Sequence, residues 1–301
     1  MRPPQLPTAL AAAIVLLWLV LGGGALAQPD PGAVRRGEYI FNAGGCLGCH
    51  TDVKNNGAPL AGGRALATPF GMFYGPNITP DPDHGLGRWS ESDFIRAMRH
   101  GERPDGANLF PVFPYTSFTK ITDSDLRDLW AYLRSVPASA TPNRPHDVKF
   151  PFGFRPLLTV WKWLNFEPGV FQADPAESAD LNRGRYLVQA LAHCGECHTP
   201  RNKTGGLDTS RRFAGTADGP DGERVPNITP HPETGIGKWS TGDLLDMLKL
   251  GMIPDGDFVG GSMGEVVRNT TSKLTDEDLR AIIAYLKSLP PIDNQVPRKT
   301  R

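Results

Sequence analysis

Apolar residues recur at spacings of three and four in two stretches of the chain, a pattern that predicts an amphipathic helix in each stretch. The repeating apolar positions are Leu126, Leu129, Trp130 and Leu133 in the first stretch and Leu279, Ile282, Ile283 and Leu286 in the second. Thr122 and Thr275 stand just ahead of these stretches as N-caps, and acidic residues follow them where the helix dipole favours negative charge. We interpret both stripes as faces that pack into a core.

Two more helices are predicted in each half of the chain. One starts after Ser90 and again after Ser240, because serine is a good N-cap and an aspartate follows three residues later in both places. An earlier helix begins at Gly37 and at Gly184, and we expect its aromatic residue to pack on the opposite terminal helix. Long loops join these helices, so the pattern indicates an all-α protein.

The two halves are copies of one module. Four short sequences return in the same order: Asn-Ile-Thr-Pro at 77–80 and 227–230, Gly-x-Gly-x-Trp-Ser at 85–90 and 235–240, Pro-Asp-Gly at 104–106 and 254–256, and Thr-Asp-x-Asp-Leu-Arg at 122–127 and 275–280. The first three pairs are 150 residues apart and the last is 153 apart. Such repetition indicates duplicated structural units. We therefore predict a first domain over 28–140 and a second over 175–301.

Between the modules, residues 141–174 are rich in proline and in aromatic residues. Flexible linkers are typically rich in glycine and serine, so this composition predicts an ordered linker. Its large aromatic residues include Phe152, Phe154, Trp161 and Trp163, and Arg155 lies among them. Two interpretations stay open: a strap that holds the modules together, or a surface that docks a partner or a membrane.

The first residues have the pattern of an export signal. Arg2 precedes an apolar run over 9–21, and the small residues at 25–27 resemble a cleavage site. We predict a signal peptide over 1–27 and a periplasmic location. The alternative is a membrane anchor that is retained, because residues 8–27 are just long enough to span a bilayer.

All four cysteines belong to two copies of Cys-x-x-Cys-His, at 46–50 and 194–198. This spacing is typical of c-type haem attachment, in which both thiols form thioethers to the porphyrin and the adjacent histidine binds the iron. A redox disulfide or half of a zinc site would also use two cysteines, but neither requires a histidine after each pair. The motifs predict two covalently bound haem c groups. The anchors would be Cys46, Cys49, Cys194 and Cys197, and the proximal ligands His50 and His198.

The balance of charged residues argues against a nucleic-acid-binding protein and excludes few other functions. The chain has 32 basic and 32 acidic residues, and Arg2 is the only charged residue of the predicted signal, so the exported chain has a formal charge of −1. No run of lysine and arginine suggests a nucleic-acid surface. Apolar residues make up only 39% of the chain, with 29 prolines and 34 glycines, so the buried haems are expected to supply part of the core.

Electron transfer requires a distal iron ligand, and methionine is usual because its thioether raises the potential. Met263 is the candidate in the second module, since it lies between the middle and last helices with glycines on both sides, which predicts a loop. The offset of 150 places Phe113 at the corresponding position of the first module, and phenylalanine cannot coordinate iron. The first haem is left with these alternatives: Met72, Met98, His84, His100, Tyr115 or an open position.

Two roles are open for the Asn-Ile-Thr-Pro loops and the tryptophans that follow them. Asn77 and Asn227, together with Trp89 and Trp239, could contact the haem propionates. The alternative is a structural turn with a buried tryptophan.

This ordered set of motifs resembles the cytochrome c subunits of periplasmic dehydrogenases that oxidise alcohols, aldehydes, gluconate or N-heterocycles such as nicotinate and isoquinoline. The set also includes the Phe-Pro-Tyr loop at 113–115 and the aromatic linker, and it covers nearly the whole chain after residue 27. The resemblance implies two tandem class I cytochrome c domains. It also implies that a separate flavin, quinone or molybdenum subunit oxidises the substrate, and that the cytochrome passes electrons to a quinone or an oxidase. Many members of this family carry three haems, whereas this chain has two motifs and Phe113.

We therefore predict a dihaem subunit that relays electrons from a dehydrogenase to the respiratory chain and has no catalytic residues of its own, with membrane association left open. The sequence contains no Gly-rich nucleotide loop, nucleophile elbow or zinc-protease helix. The competing hypothesis is an enzyme, a dihaem peroxidase or a thiosulfate-oxidising cytochrome. It would need an open site on the first haem, which Phe113 allows, but no distal arginine, glutamate or cysteine stands out near the first motif.

Overall fold

The computed structural model describes residues 30–297, so the predicted signal peptide lies outside the described residues. The helices are α1 Pro31–Ala43, α2 Cys46–His50, α3 Glu91–His100, α4 Tyr115–Phe118, α5 Asp123–Ser135, α6 Leu157–Asn165, α7 Ala179–Tyr186, α8 Gly195–His198, α9 Thr241–Leu250, α10 Gly261–Asn269 and α11 Asp276–Ser288. The strands are β1 Ala65–Thr68, β2 Gly71–Tyr74 and β3 Asp147–Val148. Within 30–297, no helix has the length and apolar character needed to cross a membrane.

The middle helices begin where their sequences predict, whereas the first helix of each module begins earlier than predicted, at Pro31 and Ala179 rather than at Gly37 and Gly184. Ser90 and Ser240 each close a capping box with the aspartate three residues later, so both helix starts are held by reciprocal hydrogen bonds. Gly101 and Gly251 end the helices in the left-handed conformation, which glycine adopts without steric cost. Thr122 and Thr275 likewise cap α5 and α11. The repeated sequences therefore fold into repeated elements.

The first and last helices of each module cross at a glycine. A Cβ atom at Gly37 would lie 1.9 Å from the Asp128 carbonyl oxygen, and one at Gly184 would lie 1.9 Å from the Ala281 carbonyl oxygen. Only a residue without a side chain allows the two backbones to come this close. In the first module the rings of Phe41 and Tyr132 meet beside the crossing, 5.1 Å apart, as the expected packing of an aromatic residue on the terminal helix requires.

A small sheet corrects the all-α prediction. β1 and β2 form an antiparallel hairpin with Ala65 opposite Tyr74, and β3 adds to the other edge of β2, with Asp147 opposite Met72. Residues 30–297 are thus mostly helical with one three-stranded sheet. Helical periodicity could not reveal these strands, because they are two to four residues long.

The segment between the modules contributes β3 and α6 and packs on the first module. Leu158 of α6 is buried in a small apolar cluster with Phe73 and Phe110, which is separate from the main core. The main core runs through both modules and includes residues of the first, middle and last helices of each.

The two modules contact each other through a reciprocal pair of tyrosines. The hydroxyl of Tyr39 in α1 donates a hydrogen bond of 2.5 Å to the Asp278 carboxylate at the start of α11, and it accepts a hydrogen bond from the Thr275 amide. Tyr186 of α7 does the same with Asp125 and the Thr122 amide at the start of α5. The first helix of each module therefore contacts the start of the last helix of the other module.

Candidate haem sites

Each Cys-x-x-Cys-His motif forms a short helix. Cys46 to His50 form α2, and Cys194 stands just ahead of α8, which ends at His198. One turn of helix places residues three apart on one face, so both thiols of a pair point the same way. No disulfide joins any two of the four cysteines.

The electrostatics of these thiols do not fit a redox disulfide. Burial raises the pKa of Cys46 and Cys194 to about 12 and of Cys197 to about 11, and it also raises that of Cys49. Redox-active cysteines have lowered pKa values, because the thiolate is the reactive form. Groups of three or more metal-binding side chains of the kind zinc requires are also absent from residues 30–297. The structure therefore favours neither a redox disulfide nor a zinc site at these motifs.

The two histidines are held in the same orientation by the backbone. Nδ1 of His50 lies 2.7 Å from the Pro76 carbonyl oxygen, and Nδ1 of His198 lies 2.8 Å from the Pro226 carbonyl oxygen. Since a carbonyl only accepts, Nδ1 carries the proton and Nε2 keeps its lone pair for a metal. Burial lowers the pKa of both histidines, which favours the neutral form that binds iron. This donor set fits a covalently attached haem in each module.

The Asn-Ile-Thr-Pro loops that follow these prolines are structural turns. The Asn77 carboxamide accepts bonds from the amide and hydroxyl of Thr79 and donates to the Ser139 carbonyl, 2.7 Å away. Asn227 makes the same bonds to Thr229 and to the Ile292 carbonyl. Both asparagines are buried, and their carboxamide groups are hydrogen-bonded to other residues of the protein. Their geometry favours a locked turn that carries the proline carbonyl to the histidine, rather than a contact with a propionate.

Met263 lies in a helix, which corrects the prediction of a loop. It is half-buried in the first turn of α10, whose N-terminal Gly261 has a φ of 52°. The glycines mark the beginning of this helix, and the residues that follow Gly264 continue it. Flanking glycines alone therefore did not distinguish a loop from the start of a helix.

The first-module residues that could replace a distal methionine lie in different environments. Phe113 sits in the turn before α4 and packs on Phe118, with ring centres 5.6 Å apart. Met98 is buried on the core face of α3, and Met72 lies on β2. His100 is exposed at the end of α3, His84 lies in the turn after Asp81, and Tyr115 is fully buried beside Trp161 and Phe166.

Each haem motif also contacts the other module, a feature that no pattern in the sequence predicted. Glu196, between the cysteines of the second motif, accepts bonds from Thr116 (2.7 Å) and Ser117 (2.9 Å) of α4. In the opposite direction, α10 packs on α2, and Glu265 forms an ion pair with Arg64 at 3.0 Å. The one signal in the sequence was Glu196 itself, a charged residue between the two cysteines of a motif.

The two motifs are therefore close to each other. Electrostatic repulsion from Cys49 adds to the raised pKa of Cys197, after the larger effects of burial and Glu196. Phe118 and His193 stack edge to face across the same boundary, with ring centres 5.3 Å apart. The two attachment segments share one inter-module surface.

Two segments, residues 34–137 and 181–290, match the cytochrome c family model, and the chain belongs to this family. It is a c-type cytochrome with two haem c groups and transfers electrons. Its relatives include the dihaem cytochrome c-type protein of Cereibacter sphaeroides, with 47% identity over 87% of this chain and 88% of that protein. The cytochrome c subunit of the quinone-type alcohol dehydrogenase of Gluconacetobacter polyoxogenes is 40% identical over 91% of this chain. The cytochrome c subunit of the gluconate 2-dehydrogenase of Pantoea cypripedii is also 40% identical over 91% of this chain.

The lengths of these relatives differ. This chain spans 60% of the alcohol dehydrogenase subunit and 64% of the gluconate 2-dehydrogenase subunit. The resemblance to dehydrogenase cytochrome subunits is confirmed, and so is the prediction of an electron-transfer protein rather than a catalytic subunit. The alternative of a peroxidase or thiosulfate-oxidising enzyme finds no support among these relatives.

Proposed function

We propose that the protein is a periplasmic subunit that receives electrons from a dehydrogenase catalytic subunit and passes them to a quinone or oxidase of the respiratory chain. The observation that supports electron relay most directly is that each haem motif packs against the other module. The names of the relatives supply the class of donor, since they include cytochrome subunits of alcohol and gluconate dehydrogenases. The predicted export signal over 1–27 supplies the compartment.

We assign one haem to each module, over 28–140 and 175–301. Cys46 and Cys49 would anchor the first haem with His50 as proximal ligand, and Cys194 and Cys197 the second with His198. When bound, haem c supplies a reversible one-electron change at its iron. The protein holds each histidine ring by the Pro76 or Pro226 carbonyl. A ring held in this way reorganises less when the charge changes.

The two haems would differ in their distal ligands. Met263 is the distal ligand that we assign to the second haem. Its counterpart Phe113 lacks a donor atom, so the first haem would have a different axial environment and a different potential. Two unequal potentials give a relay a direction, because electrons move towards the higher one.

Substrate-driven reduction tests the proposed relay. Periplasmic extract from a strain lacking this gene would be mixed with the purified protein and with ethanol, an aldehyde, gluconate or nicotinate in turn. We expect the haem absorption bands to become reduced with one class of substrate, and only when the extract is present. Rapid reduction by a substrate and the protein alone would contradict the proposal, as would no reduction with any of these substrates.

The anchors are tested separately by counting haems. Cys46→Ala combined with Cys49→Ala should leave one covalent haem by mass spectrometry, and Cys194→Ala with Cys197→Ala should leave the other. If either double variant keeps two haems, the assignment of anchors is wrong.

A further inference from the structure

Helix α6 has its apolar and polar faces reversed relative to a normal surface helix. Leu157, Val160, Trp163 and Leu164 point to solvent, and Trp163 is 80% exposed. Lys162 points inward instead. A surface helix ordinarily turns its apolar stripe to the core and its charges to water, so the outward face of α6 lacks its apolar partner in the isolated chain.

Specific bonds hold α6 in this orientation. Lys162 donates to the Asn108 side chain (2.8 Å) and pairs with Glu102 (3.3 Å). The indole nitrogen of Trp161 donates to the Thr204 carbonyl (2.9 Å) in the second module. With Leu158 buried beneath the helix, these contacts fix which side faces outward. The exposed apolar face is therefore a stable feature of the fold.

The exposed apolar surface continues beyond α6 onto the hairpin and the start of the linker. Phe150 is 92% exposed, and Phe70 and Phe152 meet edge to face with ring centres 4.9 Å apart. We name the whole surface the aromatic patch. It consists of Phe70, Phe150, Phe152, Phe154, Leu157, Val160, Trp163 and Leu164. An exposed apolar area of this extent marks an interaction site.

Basic residues border the aromatic patch, and the exposed acidic residues Asp147 and Glu167 flank its segment in the sequence. Residues 148–166 contain Lys149, Arg155 and Lys162 but no acidic residue, and Lys203 lies in the turn that touches Phe70 and Trp161. Among the described residues, no carboxylate lies within ion-pair distance of Lys149, Arg155 or Lys203, whereas Lys162 is paired with Glu102. Arg155 is bound inward, because it donates to the Asn108 carbonyl and lies over the Phe110 ring. The exposed cations beside the aromatic rings are therefore Lys149 and Lys203.

We propose that the aromatic patch binds the surface of an anionic lipid bilayer, with its rings among the headgroups and with Lys149 and Lys203 against lipid phosphates. Tryptophan, phenylalanine and lysine together are typical of such interfacial segments. Helix α6 has nine residues and is about 14 Å long at 1.5 Å per residue, so it lies along the surface and does not span it. This binding would keep the proposed relay beside a membrane acceptor.

A protein partner fits the patch less well. Protein interfaces are enriched in aromatic residues and arginine but depleted in lysine, and their strongest contacts lie in well-packed pockets. Here Lys149 and Lys203 border the patch, and its largest groups, Phe150 and Trp163, protrude into solvent. Protruding rings and flexible cations suit a fluid surface that deforms around them.

Vesicle binding tests the proposal without any dehydrogenase. The haem-loaded protein, with its N-terminus established by mass spectrometry as Gln28, would be sedimented with vesicles of phosphatidylcholine alone or mixed with phosphatidylglycerol. We expect binding to the mixed vesicles that weakens at high salt. Phe150→Ser combined with Trp163→Ser should reduce the partition coefficient by about tenfold or more.

The matched control is Leu250→Ser combined with Phe258→Ser, two exposed apolar residues of the second module outside the patch. This variant should bind vesicles like the wild type, and all variants should keep unchanged haem spectra. Equal binding by patch and control variants would overturn the proposal, and so would no binding of the wild type to anionic vesicles. If the patch variant binds vesicles normally but loses its complex with a dehydrogenase, the patch is a protein-docking surface instead.

Discussion

At the scale of single residues, the chemistry of each module depends on one backbone carbonyl. Pro76 and Pro226 lie directly before the Asn-Ile-Thr-Pro sequences, and each accepts the Nδ1 proton of the histidine that follows the cysteine pair. The buried asparagine next to each proline ties this loop to the chain beyond the last helix. The orientation of the metal-binding nitrogen is thus set by residues 26 and 28 positions away from the histidines.

Met263→Ala tests the distal ligand of the second haem. We expect high-spin or histidine–water ligation and a lower potential, because the thioether that stabilises reduced iron is lost. The methionine–iron absorption band should weaken in the oxidised spectrum. Met252→Ala is measured in parallel as the alternative candidate, since Met252 lies in the loop bridge opposite Phe258. An unchanged band and unchanged potentials would show that Met263 fills the core and would make Met252 the next candidate.

Phe113→Met tests whether the turn before α4 lies at the distal side of the first haem. A methionine there should raise the potential of this haem and add a second methionine–iron band, while the second haem keeps its own. Potentiometric titration of the variant and the wild type measures both changes. If the spectrum of the first haem does not respond, its distal ligand comes from another segment.

At the scale of elements, the helix crossings depend on Gly37 and Gly184. Alanine at either position would place a carbon 1.9 Å from a backbone oxygen, which only movement of the helices can relieve. We expect Gly37→Ala and Gly184→Ala to lower the free energy of unfolding by about 1–3 kcal/mol or more. Gly169→Ala is the matched control, because nothing lies within 4 Å of its new carbon. Equal stability of the three variants in denaturant titrations would refute the role of the crossings.

At the scale of the whole molecule, the reciprocal tyrosines hold the modules in register. Tyr39→Phe and Tyr186→Phe each remove a hydroxyl that contacts the start of a helix of the other module, so each should cost about 1 kcal/mol. The double variant should also be cut faster by protease within 141–174. Tyr285→Phe is the control, because its hydroxyl bonds Gln189 within the second module. Faster cleavage in the control as well would mean that the tyrosines stabilise the modules rather than their contact.

Local signals in the sequence determined the repeated parts of this protein. The cysteine pairs with their histidines, the caps at Ser90 and Ser240, and the apolar stripes of α5 and α11 each lie within a few consecutive residues. Helix starts, haem attachment and module duplication depend on such short patterns, because capping and thioether chemistry act over one or two turns. The family resemblance followed from the same patterns in their order.

Only the tertiary structure decided how the two modules meet. Tyr39 and Asp278 are 239 positions apart, and no periodicity links them; their contact depends on the angle at which whole helices pack. The same holds for β3, which pairs with β2 from the far side of the first module, and for α6, whose apolar face points outward because Lys162 and Trp161 are bound inward. These features arise from the geometry of docked surfaces, and a linear pattern does not encode that geometry locally.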